Sequence, residues 1–211
     1  MEHIYSRLAD AVVAMSPDQV AQLARQVIAE GRSAEKAITQ GLAAGMRRMG
    51  EKFAAKECFV PEVLLASKAM YAGFDILKAH ITSEPQSRGR VVLGVVQGDI
   101  HDIGKNIVKV MAQAAGYDVM DLGRNVPVAT FVHAAGESGA ALVGVSSLMT
   151  TTMPRMGQVV EALDKAGLRK QVRVVVGGAP VSAEFSRRIG ADGYAPDAHG
   201  AVLEFERLIG A

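Results

Sequence analysis

The 211-residue chain has no tryptophan, one cysteine, four tyrosines and six phenylalanines. A single cysteine, Cys58, excludes an intrachain disulfide and makes a reducing, cytoplasmic setting the expectation. No apolar run reaches the roughly 18 residues of a membrane span, so none is expected. The N-terminal stretch holds Glu2, Arg7 and Asp10 and does not have the form of a secretory signal. No block of one charge stands out: 23 basic residues face 22 acidic ones, and a nucleic-acid partner is not indicated. What is present is an ordinary globular balance, 49% hydrophobic and 21% charged. Ten methionines point to helical cores with adaptable packing.

Up to about Ile81 the apolar residues recur at helical spacing. Residues 3–15 form a first helix. Ser16-Pro17-Asp18 reads as a helix start, with Ser16 as cap and Pro17 in the first turn. Val20, Leu23, Ala24, Val27 and Ile28 share one face of the helix that follows. Gly31 stops it and Ser33 can cap the next, whose face is Ile38, Leu42, Met46, Met49 and Phe53. Pro61 opens a fourth, with Leu64, Leu65, Met70, Phe74 and Leu77 along it. Four short-linked amphipathic helices predict a bundle. Thr82 to Gly89 is polar, contains Pro85 and Gly89, and reads as a linker between domains at 1–83 and 89–211.

Beyond the linker, strands alternate with helices: strands at Arg90–Val96, Tyr117–Leu122, Ala141–Ser146, Val172–Val176 and near Gly193–Ala195. Helices are expected at Gly104–Ala115, Pro127–Ser138, Met153–Ala166, Ser182–Ile189 and from Ala198. This predicts a parallel five-stranded sheet, doubly wound, Rossmann-like or flavodoxin-like. Ligands of such sheets bind beyond the carboxyl ends of the strands. The loops after Val96, Leu122, Ser146 and Val176 are therefore the places to look.

The first of these, Gln97 to Asn106, is glycine-bearing but is neither a Walker A loop nor a dinucleotide fingerprint. Five residues separate Gly98 from Gly104-Lys105, and Asn106 stands where a magnesium-binding hydroxyl would be. It offers Asp99 two residues before His101. That spacing suits a metal-binding imidazole whose second nitrogen donates to a carboxylate. Gly104 would let the backbone pass close to a bulky ligand. Equally, Asp99 could cap the next helix and His101 be a surface residue. No clustered second or third His or Cys supports zinc. His3, His80 and His133 fall on helices and read as solvated, His199 starts the last helix, and Cys58 reads as a small buried residue.

The string Asp99-Ile100-His101-Asp102-Ile103-Gly104 resembles the D-x-H-x-x-G signature of cobalamin-binding domains. These occur in cobalamin-dependent methionine synthase and in the corrinoid proteins of methanol, methylamine and methoxyarene methyltransferase systems. The family's S-x-L element is matched by Ser146-Ser147-Leu148 and its glycine pair by Gly177-Gly178, at intervals like the family's. Residues Phe53 through Met70 resemble the helical cap that precedes the cofactor domain.

The resemblance implies a corrinoid, cobalamin or a relative, bound base-off and His-on, with His101 on cobalt and Asp99 hydrogen-bonded to it. Thr152 would close a relay toward solvent, and release of His101 would couple to its protonation. Gly98, Ile100, Asp102, Gly104 and Leu148 would belong to the cofactor-contacting loops. Small residues at strand ends (Gly94, Gly144, Ser146, Gly177, Gly178) would make the slot for the nucleotide tail, with Ser146 and Thr150 as hydrogen-bonding partners and Ala198 a backbone contact. Plain turn geometry is the other reading of the glycines. Phe59, Met70, Phe74 and Leu77 would face the reactive side of the corrin; as residues alone they read equally as bundle core.

The expected role is a methyl carrier, not a complete enzyme. A substrate:corrinoid methyltransferase would load it, a second would deliver the group to tetrahydrofolate or a thiol such as coenzyme M, and a reductive activator would restore it. A substrate barrel needs about 250 residues, for which the chain has no room. A cobalamin-dependent regulator would need a DNA-binding domain, and the first helix begins within a few residues of Met1. A methionine synthase fragment and a mutase subunit are the remaining alternatives; mutase cofactor domains lack the preceding cap.

Overall fold

The computed structural model describes residues 3–81 and 87–210. Most of the expected linker, residues 82–86, lies outside the described residues. The chain divides into two compact units: residues 1–86 with 114–116, and residues 87–113 with 117–211.

The first unit holds α1 (His3–Val13), α2 (Pro17–Ala29), α3 (Ala34–Lys36), α4 (Ala43–Ala54) and α5 (Val60–Leu77). A π-helical segment, Ala37–Leu42, joins α3 to α4 without a break, so the expected third helix is one continuous rod. Ser33 caps it, its hydroxyl accepting from Lys36 N. Ser16 occupies the cap position of α2 but makes no side-chain capping bond. At α5 the Glu62 carboxylate reaches back to accept from Phe59 N at 2.7 Å.

Glycines set the packing of this unit. A Cβ on Gly45 would lie 2.7 Å from Val12 Cβ, and one on Gly73 would lie 2.7 Å from Val20 Cγ1. The helices therefore approach to near backbone contact. Consequently α5 buries its small residues, Ala66, Ser67, Ala69 and Gly73, together with Val63, Met70 and Leu77. Leu64 and Leu65, expected on the buried face, are 46% and 51% exposed. The closest-packed stripe takes the smallest side chains, and the two leucines fall beside it.

The second unit is a five-stranded, all-parallel sheet of β1 (Arg90–Val95), β2 (Asp118–Asp121), β3 (Leu142–Ser146), β4 (Arg173–Gly177) and β5 (Gly193–Ala195), in spatial order β2-β1-β3-β4-β5. Its helices are α6 (Ile103–Ala114), α7 (Val128–Ser138), α8 (Pro154–Lys165), α9 (Ala183–Arg188) and α10 (Ala198–Ile209). One face packs Val92, Val143, Val145, Val174 and Val176 against Phe131 of α7 and Met156, Val159 and Leu163 of α8. On the other, Phe205 of α10 approaches Gly144 and meets Tyr117 edge-on. This is the doubly wound, Rossmann-like sheet that the alternation of periods predicted. The strand order reverses between β1 and β3, where doubly wound sheets bind ligands.

Candidate functional site

The site grows from the loop between β1 and α6. Gly98 turns the chain with φ +87°, a conformation that disfavours any residue with a Cβ. Asp99 then folds back on its own loop. Its Oδ1 accepts from His101 N at 2.9 Å and lies 2.8 Å from His101 Nδ1. Its Oδ2 accepts from Leu148 N, in the loop after β3, at 2.7 Å. The hydroxyls of Ser147 and Thr152 stand 3.4 Å from that same oxygen and 2.9 Å from each other. Both also reach Met149 O, at 3.2 and 3.0 Å.

Asp99 is fully buried, whereas the His101 side chain is half exposed. Burial alone would push the carboxyl's pKa up. Donation from the main-chain N–H groups of His101 and Leu148, and from the imidazole, outweighs it and lowers the pKa to about 2. The carboxylate is thus a fixed anion that orients one ring nitrogen and leaves Nε2 as the one it does not engage.

The other expected residues fall at the carboxyl edge as well. Ile100, Leu148, Gly104 and Thr150 are exposed and Asp102 is half-buried. Ser146 pairs in register with Gly177. Gly178 has φ +127°, and a Cβ there would collide with the carbonyl oxygen of Ser147. Its lack of a side chain therefore admits the loop that carries Leu148 and Thr152. Ala198 is buried at the start of α10, behind the Asp197 cap on Gly200 N.

Gly94 and Gly144 differ from the expected slot. A Cβ on Gly94 would meet Phe131 Cζ at 2.6 Å, and one on Gly144 would collide with Leu93 Cδ2. The space these glycines release is filled by core side chains. In the helical unit Met70 and Leu77 are buried, Phe74 is half-buried and Phe59 is exposed. Cys58 is buried, with Sγ 3.8 Å from Met49 O. His80 and His133 are exposed and His199 is half-buried.

Three participants were not singled out in the sequence. Ser147 was only the variable letter of S-x-L. Asn125, in the loop after β2, accepts from Gly98 N through Oδ1 at 2.7 Å and donates from its own N–H to Asp99 O at 3.0 Å. Asp121 accepts from the buried Lys105 Nζ at 2.5 Å and from Lys109 Nζ at 3.2 Å. Its position at the carboxyl end of β2 was the available signal; the pairing was not, because Lys105 looks like any helix-surface lysine.

Among the described residues no three His, Cys, Asp or Glu side chains cluster to hold a metal ion. One oriented imidazole cannot cage a bare ion, but it suits a metal whose other ligands arrive with it in a macrocycle.

Comparison with known proteins agrees. Residues 89–203 match the B12 binding domain family, and residues 4–78 match a second B12 binding domain family. The chain is 41% identical to dimethylamine corrinoid protein 2 of Methanosarcina acetivorans, over 99% of this chain and 97% of that protein. It is 41% identical to trimethylamine corrinoid protein 1 of the same organism, over 99% and 98%. A solved structure of the methanol:cobalamin methyltransferase complex of Methanosarcina barkeri superimposes with a TM-score of 0.87 at 29% identity, covering 99% of this chain and 80% of that one. The chain belongs to the B12-binding-domain corrinoid proteins, and its cofactor is cobalamin or a related corrinoid.

Proposed function

We propose that this protein carries methyl groups between two methyltransferases, with His101 Nε2 as the axial cobalt ligand in place of the cofactor's own base. The observation that carries the ligand assignment is the buried, ionised Asp99 held 2.8 Å from His101 Nδ1. Bound there, a corrinoid supplies a cobalt centre able to accept and release a methyl group. The chain's own work is to present and withdraw the imidazole. Donation of Nδ1–H to Asp99 would fix the tautomer that presents Nε2 to the cobalt. The Asp99 anion would keep the ring in that orientation when the metal is not held. The hydroxyls of Ser147 and Thr152, 3.4 Å from Oδ2, would support the carboxylate on the side away from the ring.

The relatives' names favour a di- or trimethylamine-derived methyl group. A methylamine:corrinoid methyltransferase would load the protein, and a second enzyme would unload it to a thiol such as coenzyme M or to tetrahydrofolate. A reductive activator would restore protein that has lost its methyl-accepting state. The cytoplasm suits these partners; among the described residues no helix is long and apolar enough to cross a membrane.

The test is the visible spectrum of protein reconstituted with hydroxocobalamin, alongside His101→Ala. A His-ligated spectrum in the wild type that is lost in the variant supports the assignment. A spectrum untouched by the substitution refutes it.

A further inference from the structure

The His101 loop is gripped from two sides. On one side is the loop after β3, through Leu148 and Thr152. On the other is the loop after β2, whose contacts the proposed chemistry does not use. Its backbone is laid along the end of β1: Val95 N donates to Gly123 O at 3.0 Å and Val126 N donates to Val95 O at 2.9 Å. Val96 and Val126 form an isolated parallel bridge. Asn125 projects from this short ladder at the point where β1 gives way to the His101 loop.

We infer that Asn125 is a positioning residue for His101, clamping Gly98 and Asp99 so that the imidazole is presented to the corrinoid in one orientation. The inference rests on the reading of His101 as the axial ligand. Position 125 meets three demands together. Its φ is +55°, in the left-handed region where asparagine is among the few tolerated side chains. Its amide oxygen takes the Gly98 N–H at 2.7 Å, immediately before Asp99. Its own N–H takes the Asp99 carbonyl at 3.0 Å. The main chain of Asp99 is held by Asn125 while the carboxylate of Asp99 is held by Leu148, so the residue that aims the imidazole has neither end free. Asn125 is exposed, so its side chain is not there to fill the core.

The same loop is tied again further along the chain. Asp121 accepts from Lys105 and Lys109 of α6 and from Gly123 N at 2.9 Å. Lys105 is buried, its Nζ also donating to Asn106 Oδ1 at 2.7 Å. The segment from Gly98 to Lys105, with His101 near its middle, is thus bracketed at both ends by residues 121–125.

Asn125→Gly and Asn125→Asp separate the side-chain contact from the backbone. Glycine keeps the left-handed conformation and removes the acceptor; aspartate keeps the acceptor. Each variant, the wild type and His101→Ala would be labelled with 15N-histidine, loaded with cobalamin and reduced to cobalt(II). The axial-nitrogen splitting in the electron paramagnetic resonance spectrum then distinguishes a protein imidazole from the cofactor's own base. Gly98 amide exchange would be followed by NMR in the cofactor-free proteins.

The expected result is that Asn125→Gly retains corrinoid, loses the 15N-histidine signature about five- to tenfold relative to competing states, and exchanges Gly98 faster by a similar factor, the size of one hydrogen bond. Asn125→Asp should match the wild type. An Asn125→Gly protein with a full signature and wild-type Gly98 protection overturns the inference while leaving the ligand assignment intact, as does one whose melting temperature falls with the signature unchanged. A wild type without the signature overturns the ligand assignment and this inference with it.

Discussion

Leu148 N donates to Asp99 Oδ2 across 2.7 Å, joining the loop after β3 to the loop after β1. Asp99 is thereby anchored by main-chain donors on both oxygens, Leu148 on one and His101 on the other. Main-chain donors cannot rotate away, so the carboxylate is orientated before any cofactor arrives.

This anchoring sets an acid sensitivity. The folded carboxyl titrates near 2, against an ordinary value of 3.8. A depressed folded pKa adds stability above the unfolded value, and that stability is lost as pH falls through the folded value. The window therefore runs from about pH 4 down to about pH 2, and the contribution is on the order of 2 kcal/mol. Asp99→Asn cannot ionise. The stability difference between wild type and Asp99→Asn, measured by urea unfolding of the cofactor-free proteins, should shrink by about two-thirds of that amount between pH 6 and pH 2.5. A difference that stays constant would mean that the carboxylate is not the titrating group.

Two site glycines should respond oppositely to alanine. At Gly178 the left-handed φ and the Ser147 carbonyl leave no room for a Cβ, and Gly178→Ala should cost about 3 kcal/mol or more. At Gly104 no atom lies within 4 Å of a built Cβ and the backbone is not left-handed. Gly104→Ala should leave the cofactor-free protein as stable or more stable, by up to about 1 kcal/mol. If Gly104 admits the corrin, the same substitution should weaken cobalamin binding about tenfold, as read by equilibrium dialysis.

Gly94 and Phe131 form a lock in the sheet core. A Cβ on Gly94 would sit 2.6 Å from Phe131 Cζ. Gly94→Ala should destabilise by about 1–3 kcal/mol through overpacking. Combining it with Phe131→Leu should recover about 1 kcal/mol relative to the sum of the two single changes. Strict additivity in thermal unfolding would show that the ring moves aside at no cost.

The sheet was legible because strands buried on both faces are short valine-rich runs, as in Val91-Val92-Leu93, divided by amphipathic helices. The hydrogen-bonded pair of Asp99 and His101 was pointed to by the D-x-H-x-x-G resemblance, since two residues standing two apart on a loop read equally as a helix cap and a surface histidine. The faces of α5 were not legible: periodicity located its apolar residues, but Ala66, Ala69 and Gly73 take the buried stripe and leave Leu64 and Leu65 outside it. Ser147, Asn125 and the Lys105–Asp121 pair escaped because their roles are made by segments, two loops in the first cases and α6 with the end of β2 in the last, that meet only in three dimensions. Gly94 and Gly144 were assigned to a ligand slot because a missing Cβ looks the same whether a ligand or a neighbouring ring uses the space.

The partners that hold Asp99 lie far along the chain: Leu148 is 49 residues on and Thr152 is 53. During synthesis His101 therefore emerges well before the groups that will aim it, and pairings of such long range form late because the intervening loop must close first. A chain stopped short of β3 carries the histidine but not its orientation. The corrinoid should meet a completed sheet and not a nascent loop, which makes loading a readout of how far this half of the protein has folded.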